Sequence, residues 1–266
     1  MITETWLQKE YVENKRNRCD IGRELGVTEG CIERWLKKYQ IPIRSWQAAT
    51  NIRFDLENMP TTLTKNEEQI LYGSMMGDGY IEKKASGACH YSETHNVKQK
   101  EYLEWKGEQL KRFRARVQII NRKIGKATGL WTSPAPILRD LHKQFYTEHK
   151  IVTRELLNSI DKLGLAIWYQ DDGSLNAHRY VEIYTCSFTN EEHLIMQKWF
   201  KEKWDLNVTI AKNRQYNLLR FTKEETNKFF KIIGEYMHKS MLYKIDCNKQ
   251  EKNSVKHLIV KGEIYA

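Results

Sequence analysis

Twice in this chain an apolar helical stretch runs straight into an aspartate followed by glycine. Ile70-Leu71-Tyr72-Gly73-Ser74-Met75-Met76 leads into Gly77-Asp78-Gly79, and Leu163-Gly164-Leu165-Ala166-Ile167-Trp168-Tyr169-Gln170 leads into Asp171-Asp172-Gly173. Asp78 and Asp172 lie 94 residues apart (172 − 78). A glycine ends a helix readily, but a carboxylate there faces the negative pole of the helix dipole. Two such ends brought together repel unless a cation neutralises them. The pattern therefore points to a divalent metal, and hard oxygen ligands suit Mg²⁺. A long repeat in two copies implies a duplicated domain with a pseudo-twofold axis, not a solenoid. Gly73 and Gly77, four apart on one helix, predict close approach to the second motif helix, where Ala166 is the comparable small residue.

The flanking periodicity is the same in both copies. Thr64, with Glu67 three residues on, has the form of a capping box and starts a helix that runs to about residue 76. Strands are expected over 79–83, 88–94, 116–121 and 128–132, with helices over 98–114 and 135–147. In the second copy, helices are expected over 161–171, 190–203 and 223–236. Strands are expected over 174–177, 180–187, 206–212 and 216–221. The organisation that follows is a helical unit over 1–45, a linker over 46–63, two halves over 64–160 and 161–246, and a tail over 247–266.

Lys and Arg number 44 against 34 Asp and Glu, a net charge of +10, which calls for an anionic partner such as nucleic acid. No apolar run approaches the ~20 residues of a membrane span, and the first residues lack the pattern of a signal peptide. The five cysteines are odd in number, with no CxxC pair. They read as reduced thiols, so the expected setting is intracellular, cytoplasmic or nucleoid-associated. The eight histidines show no HExxH or zinc spacing.

The first unit has a grammar of its own. Ile21 and Leu25 share a helix face, and Gly22 is small where two helices must meet. Gly26 suits a turn with positive φ, Thr28 can cap the next helix, and Ile32 and Trp35 face back. This resembles the helix-turn-helix of DNA-binding proteins, whose second helix enters the major groove. Its outward residues would include Glu29, Cys31, Arg34, Lys37 and Lys38, followed by an extended basic arm at Arg44. The alternative is a plain helical hairpin with a solvated basic face.

The two acidic motifs, Leu71–Gly79 and Leu165–Gly173, are similar to those of single-chain LAGLIDADG homing endonucleases. The resemblance extends to Trp168-Tyr169-Gln170-Asp171-Asp172-Gly173-Ser174, to Thr185-Cys186-Ser187-Phe188-Thr189 and to Met241-Leu242-Tyr243-Lys244-Ile245, covering roughly 65–246. It implies an α+β fold in which αββαββα is duplicated, with a helix interface at Gly73, Gly77 and Ala166 and the helix-turn-helix appended. It implies metal binding at Asp78 and Asp172, with Gly77 and Asp171 beside them, and two or three Mg²⁺ shared between the acidic sites. Lys244 matches the family's basic residue near one site. Lys150, followed by Thr153 where a proline is usual, matches the other. Basic residues at Lys83, Lys84, Arg122, Lys123, Arg179, Lys212 and Arg214, with His178, are candidate DNA contacts. The implied activity is cleavage of both strands of a long asymmetric DNA site by a monomer, leaving 3′ overhangs. The alternatives are an RNA-splicing maturase and a non-catalytic DNA-binding regulator. Intact Asp78 and Asp172 argue against both.

Overall fold

The computed structural model describes residues 2–53, 58–123, 125–177 and 179–245, so His178 and the tail at 247–266 lie outside the described residues. The chain divides into two compact units, one ending at Met59 and the other starting at Pro60. In the first unit, α1 (Glu4–Leu7) continues as a wider π turn (Gln8–Glu13), and α2 (Arg18–Glu24) and α3 (Glu29–Lys38) follow. Leu7, Tyr11, Ile21, Ile32, Leu36 and Ile41 form its core. The turn between α2 and α3 explains two glycines. A β-carbon on Gly22 would come 2.7 Å from the carbonyl oxygen of Val27, and Gly26 has φ +67°. Thr28 stands at the N-cap of α3, but its hydroxyl donates to Cys31 Sγ (3.3 Å) and caps no amide.

Arg44 does not leave as a free arm. Its guanidinium lies over the Tyr11 ring, 3.8 Å from the centroid, and donates to the carbonyl oxygens of Tyr11, Lys15 (3.2 Å) and Arg16 (2.8 Å). Those donors are spent on orphan carbonyls around the end of the π turn. The stretch 46–63, without sustained periodicity, nonetheless contains α4 (Trp46–Arg53). Its start is marked by Ser45, whose hydroxyl accepts from the Ala48 amide (3.2 Å), a local signal that outweighs the missing apolar stripe.

The second unit is α+β and built twice. The first half runs α5 (Lys65–Met76), β1 (Tyr80–Lys83), β2 (Cys89–Asn96), α6 (Lys100–Gln109), β3 (Arg116–Asn121), β4 (Lys126–Trp131) and α7 (Pro136–Phe145). After a short α8 (Arg154–Ser159), the second half repeats the order. It runs α9 (Lys162–Asp172), β5 (Gly173–Asn176), β6 (Tyr180–Ile183), α10 (Asn190–Trp204), β7 (Val208–Asn213), β8 (Tyr216–Phe221) and α11 (Lys223–Ile233). The two antiparallel sheets have matching orders, β1-β2-β4-β3 and β5-β6-β8-β7. Thr64 and Glu67 form the expected capping box at the start of α5.

The motif helices α5 and α9 pack directly on each other. A β-carbon on Gly73 would lie 2.3 Å from the Gly164 carbonyl oxygen and 2.7 Å from Ile167 Cβ, and one on Gly77 would lie 2.6 Å from Asp171 Cβ. On the α9 side the contact residues are Gly164, Ile167 and Asp171, at the three- and four-residue spacing of one helix face. Ala166 is fully buried, but two residues from Gly164 it points about 200° around the helix. Gly164 therefore replaces Ala166 as the small residue of this interface. A β-carbon there would meet Gln69 Oε1 at 2.6 Å.

Candidate catalytic site

Each motif helix ends in carbonyl groups that need partners, and at each end the partner is a lysine. Lys150 follows α7, its backbone paired with Tyr146 in an isolated bridge. Its Nζ donates to the carbonyl oxygens of Gly77 (3.1 Å) and Gly79 (2.9 Å). Lys244 closes the 3₁₀ turn Lys239–Lys244 and donates to those of Gln170 (2.6 Å), Asp171 (3.2 Å) and Gly173 (2.8 Å). Burial lowers both amine pKa values, while Asp172, Asp78 and Asp171 oppose the shift. A cation at the negative end of each helix also favours the local field.

Asp78 and Asp172 follow directly at these helix ends. The Asp78 side chain is 40% exposed. Asp172 is more enclosed, and its backbone carbonyl accepts from the Tyr184 amide (2.9 Å). Burial, reinforced by the charges of Asp78 and Asp171, pushes its carboxyl up to about 7, with Lys150 and Lys244 working the other way. The residues present fit a divalent cation. The available donors are hard carboxylate oxygens, and burial together with the charges of Asp78 and Asp171 disfavours the ionised Asp172, which a bound cation would favour.

Asp171 and Gly77, expected beside the metal, have other engagements. The Asp171 carboxylate points into the first half, where Lys106 Nζ contacts both of its oxygens (2.9 and 3.0 Å) and Tyr102 donates to Oδ1 (2.9 Å). The Gly77 carbonyl is taken by Lys150. Lys106 is fully buried and also donates to Glu93 Oε2 (2.9 Å) and Ser74 Oγ (2.7 Å). Burial disfavours the Lys106 charge, but Asp171 and Glu93 outweigh it and raise its pKa. Burial likewise works against an ionised Glu93, and Lys106 and His95 hold that carboxyl at about 2. For Asp171 burial dominates and the pKa rises. Glu93, His95 and Asp171 offer ligand atoms within 4.8 Å of one another, yet the Lys106 ammonium already bridges the two carboxylates.

This buried cluster was missed by sequence reasoning. The available signal was Lys106 itself, four residues after Tyr102 and four before Leu110, inside the apolar stripe of α6. A lysine there demands buried acids.

The candidate DNA contacts fall at the tips of the four hairpins. Lys83 and Lys84 lie at the β1–β2 turn, Arg122 and Lys123 at β3–β4, Arg179 at β5–β6, and Lys212 and Arg214 at β7–β8, all exposed. Lys84 pairs with Glu82. In the first unit Glu29, Arg34, Lys37 and Lys38 are exposed on α3. Glu29 pairs with Arg18 (2.7 Å), Lys37 with Glu33 (2.8 Å), Arg34 donates to Cys31 Sγ (3.1 Å), and Lys38 lies 5.5 Å from the Tyr39 ring centroid. Among the described residues Cys19, Cys31, Cys89 and Cys186 are free thiols. No helix of the described residues is long and apolar enough to cross a membrane.

Two facing helices, one followed closely by Asp78 and the other ending in Asp172, with an antiparallel sheet after each, make a duplicated α+β scaffold. The sequence profile of the LAGLIDADG DNA endonuclease family matches residues 68–229, and the chain belongs to that family. It is 26% identical over 211 residues to "Probable intron-encoded endonuclease 1" of Wickerhamomyces canadensis, covering 73% of this chain and 90% of that protein. It is 25% identical over 204 residues to "Protein RecA" of Mycolicibacterium flavescens, covering 70% of this chain and 48% of that protein. The chain thus spans about half the length of that relative. Among solved structures, the homing endonuclease I-WcaI bound to its DNA recognition sequence has the same fold, with a TM-score of 0.67 at 22% identity. The match covers 80% of this chain and 98% of that one.

Proposed function

We propose that the chain is a site-specific endonuclease that hydrolyses both strands of double-stranded DNA with Mg²⁺ and leaves 3′ overhangs. The observation that carries this reading is the pair of matching sites. Each motif aspartate has a part-buried lysine held against its helix end. Asp78 and Asp172 would hold the metal, two or three ions shared between the sites. Bound there, a divalent ion supplies positive charge to the phosphate and to the leaving 3′ oxygen. Asp171 is not assigned to the metal, because its carboxylate is committed to Lys106. Lys150 and Lys244 keep positive charge beside each carboxylate and fix the ends of the helices. The basic hairpin tips would contact phosphates and set register, and strand side chains would read bases. The first unit would add a helix in the major groove.

One chain with two diverged halves suits a monomer acting on a long asymmetric site. The retained pair of aspartates favours hydrolysis over RNA splicing or passive regulation. The test is selection of cleaved duplexes from a randomised library with Mg²⁺. Recovery of one long asymmetric site cut on both strands is expected. The absence of cut duplexes with both Mg²⁺ and Mn²⁺ would overturn the reading.

A further inference from the structure

The two sites are equivalent in their lysines and unequal in what lies behind them. Tyr80 pairs with Ser92 across β1 and β2, so one step further along the ladder Glu93 lies opposite Gly79. In the second half Gly173 pairs with Ile183. Ile183 and Thr185 therefore hold the places that Glu93 and His95 hold in the first half.

The His95 side chain is 1% exposed. Its Nδ1 lies 3.7 Å from Asp78 Oδ2, and its Nε2 lies 3.6 Å from Glu93 Oε2. Nδ1 also contacts Gln99 Oε1 (3.1 Å), and Gln99 Nε2 donates to the Tyr243 hydroxyl (2.9 Å), next to Lys244. The ring packs edge-on against Tyr102, centroids 5.8 Å apart. His95 thus stands between the Asp78 carboxylate and the buried Lys106–Glu93 pair. Its Nε2 is buried and faces Glu93, with no closer hydrogen-bond partner among the described residues. In the second half Thr185 binds His193 Nε2 (2.8 Å), whose Nδ1 contacts the Thr189 carbonyl (2.6 Å). That imidazole is committed to the loop before α10.

We propose that His95 is a positioning residue for Asp78 and not for Asp172, so that its loss slows hydrolysis of one DNA strand more than that of the other. The second-half site, with Thr185 in the corresponding place, works without such a support. The proposal rests on the nuclease reading above. Losing an outer partner of a metal-site ligand slows reactions by about tenfold or more.

The test is single-turnover cleavage of the library-selected duplex, with each strand labelled separately. His95→Phe should slow one strand by about tenfold or more and slow the other less. His95→Gln, which can still reach Asp78 with a polar group, should recover most of the loss. A variant that merely folds less well lowers the active fraction, and this slows both strands alike. Equal slowing of the two strands, or no slowing of either, overturns the proposal. If the wild-type protein cuts neither strand, the nuclease reading has failed, and this inference falls with it.

Discussion

Lys150 donates to the carbonyls of Gly77 and Gly79, and Lys244 donates to those of Asp171 and Gly173, the same two positions of the other motif. The lysines lie 94 residues apart (244 − 150), the same interval that separates Asp78 from Asp172. The duplication is therefore kept in register from the motif helices through to the segments that close each half. The aspartate and lysine at each helix end form one unit.

Asp78→Asn and Asp172→Asn should each abolish double-strand cleavage and leave DNA affinity largely intact. On the proposed reading the basic hairpin tips, not the carboxylates, would supply the attraction to phosphate. Linearisation of a supercoiled plasmid carrying the selected site, alongside a binding titration, checks both halves of the statement. A mutant that linearises DNA at the wild-type rate would remove that aspartate from the mechanism.

Gly73→Ala should destabilise the second unit by about 1–3 kcal/mol, the usual cost of overpacking. Its new methyl would fall 2.3 Å from a backbone carbonyl, that of Gly164, which has no rotamer to escape into. Urea unfolding followed by tryptophan fluorescence measures this. An unchanged midpoint would mean that α5 and α9 are further apart.

Lys106→Met should be more damaging, by about 3–5 kcal/mol, because it leaves Glu93 and Asp171 buried without their cation. The loss should depend on pH with a definite sign. Without Lys106 both carboxyls would have folded pKa values above their unfolded ones, so stability should rise as pH falls. Unfolding at pH 8 and at pH 5 should show the deficit shrinking at the lower pH. Adding Glu93→Gln and Asp171→Asn to the variant should remove that dependence.

Without metal, Asp172 should itself make stability depend on pH. Its folded pKa of about 7 lies above the ordinary 3.8, so the folded state holds a proton that the unfolded chain has lost. Stability from this group is fully present below about 4 and declines as pH rises through 7. The gap corresponds to at most about 4 kcal/mol. Asp172→Asn, expected to be inactive, should therefore melt higher than wild type at pH 8 in chelator, and the difference should narrow toward pH 5. Equal melting temperatures at both pH values would contradict the burial of this carboxylate.

Removing residues 1–59 should weaken DNA binding, shorten the footprint and flatten the dependence of log affinity on log salt, with metal-dependent cleavage persisting at high protein concentration. The first unit carries Arg34, Lys37 and Lys38 exposed on α3, and each phosphate contact adds to the salt slope. An unchanged footprint and slope would leave α2 and α3 as a structural hairpin.

Much of this fold was legible because local rules and global packing agree. The Thr64–Glu67 box, the apolar motif helices and the alternating strands each point to the elements that form. Legibility failed where one residue answers to a distant one. Ala166 matched the right composition, but helix geometry turns Gly164 toward Gly73. Asp171 looked like a second metal ligand because its sequence neighbour is the expected one, whereas its carboxylate faces Lys106, 65 residues away. Arg44 read as an extended basic arm because nothing in its sequence surroundings announces the carbonyls of Tyr11, Lys15 and Arg16. Such pairings depend on tertiary placement, which spacing along the chain does not encode.

Gly77 and Asp171 occupy the same place in the two motifs and touch each other across the axis, so the contact is a handshake between unlike hands. Two copies of the first half would set glycine against glycine and leave Lys106 with Glu93 but no Asp171. Two copies of the second half would press two buried aspartates together with no lysine between them. At this contact each half meets in the other a partner unlike itself. A recombined enzyme that borrows one half from a relative must import Lys106 and Glu93, or Asp171, along with it. The fold is a repetition, but at this contact its two parts recognise each other by difference.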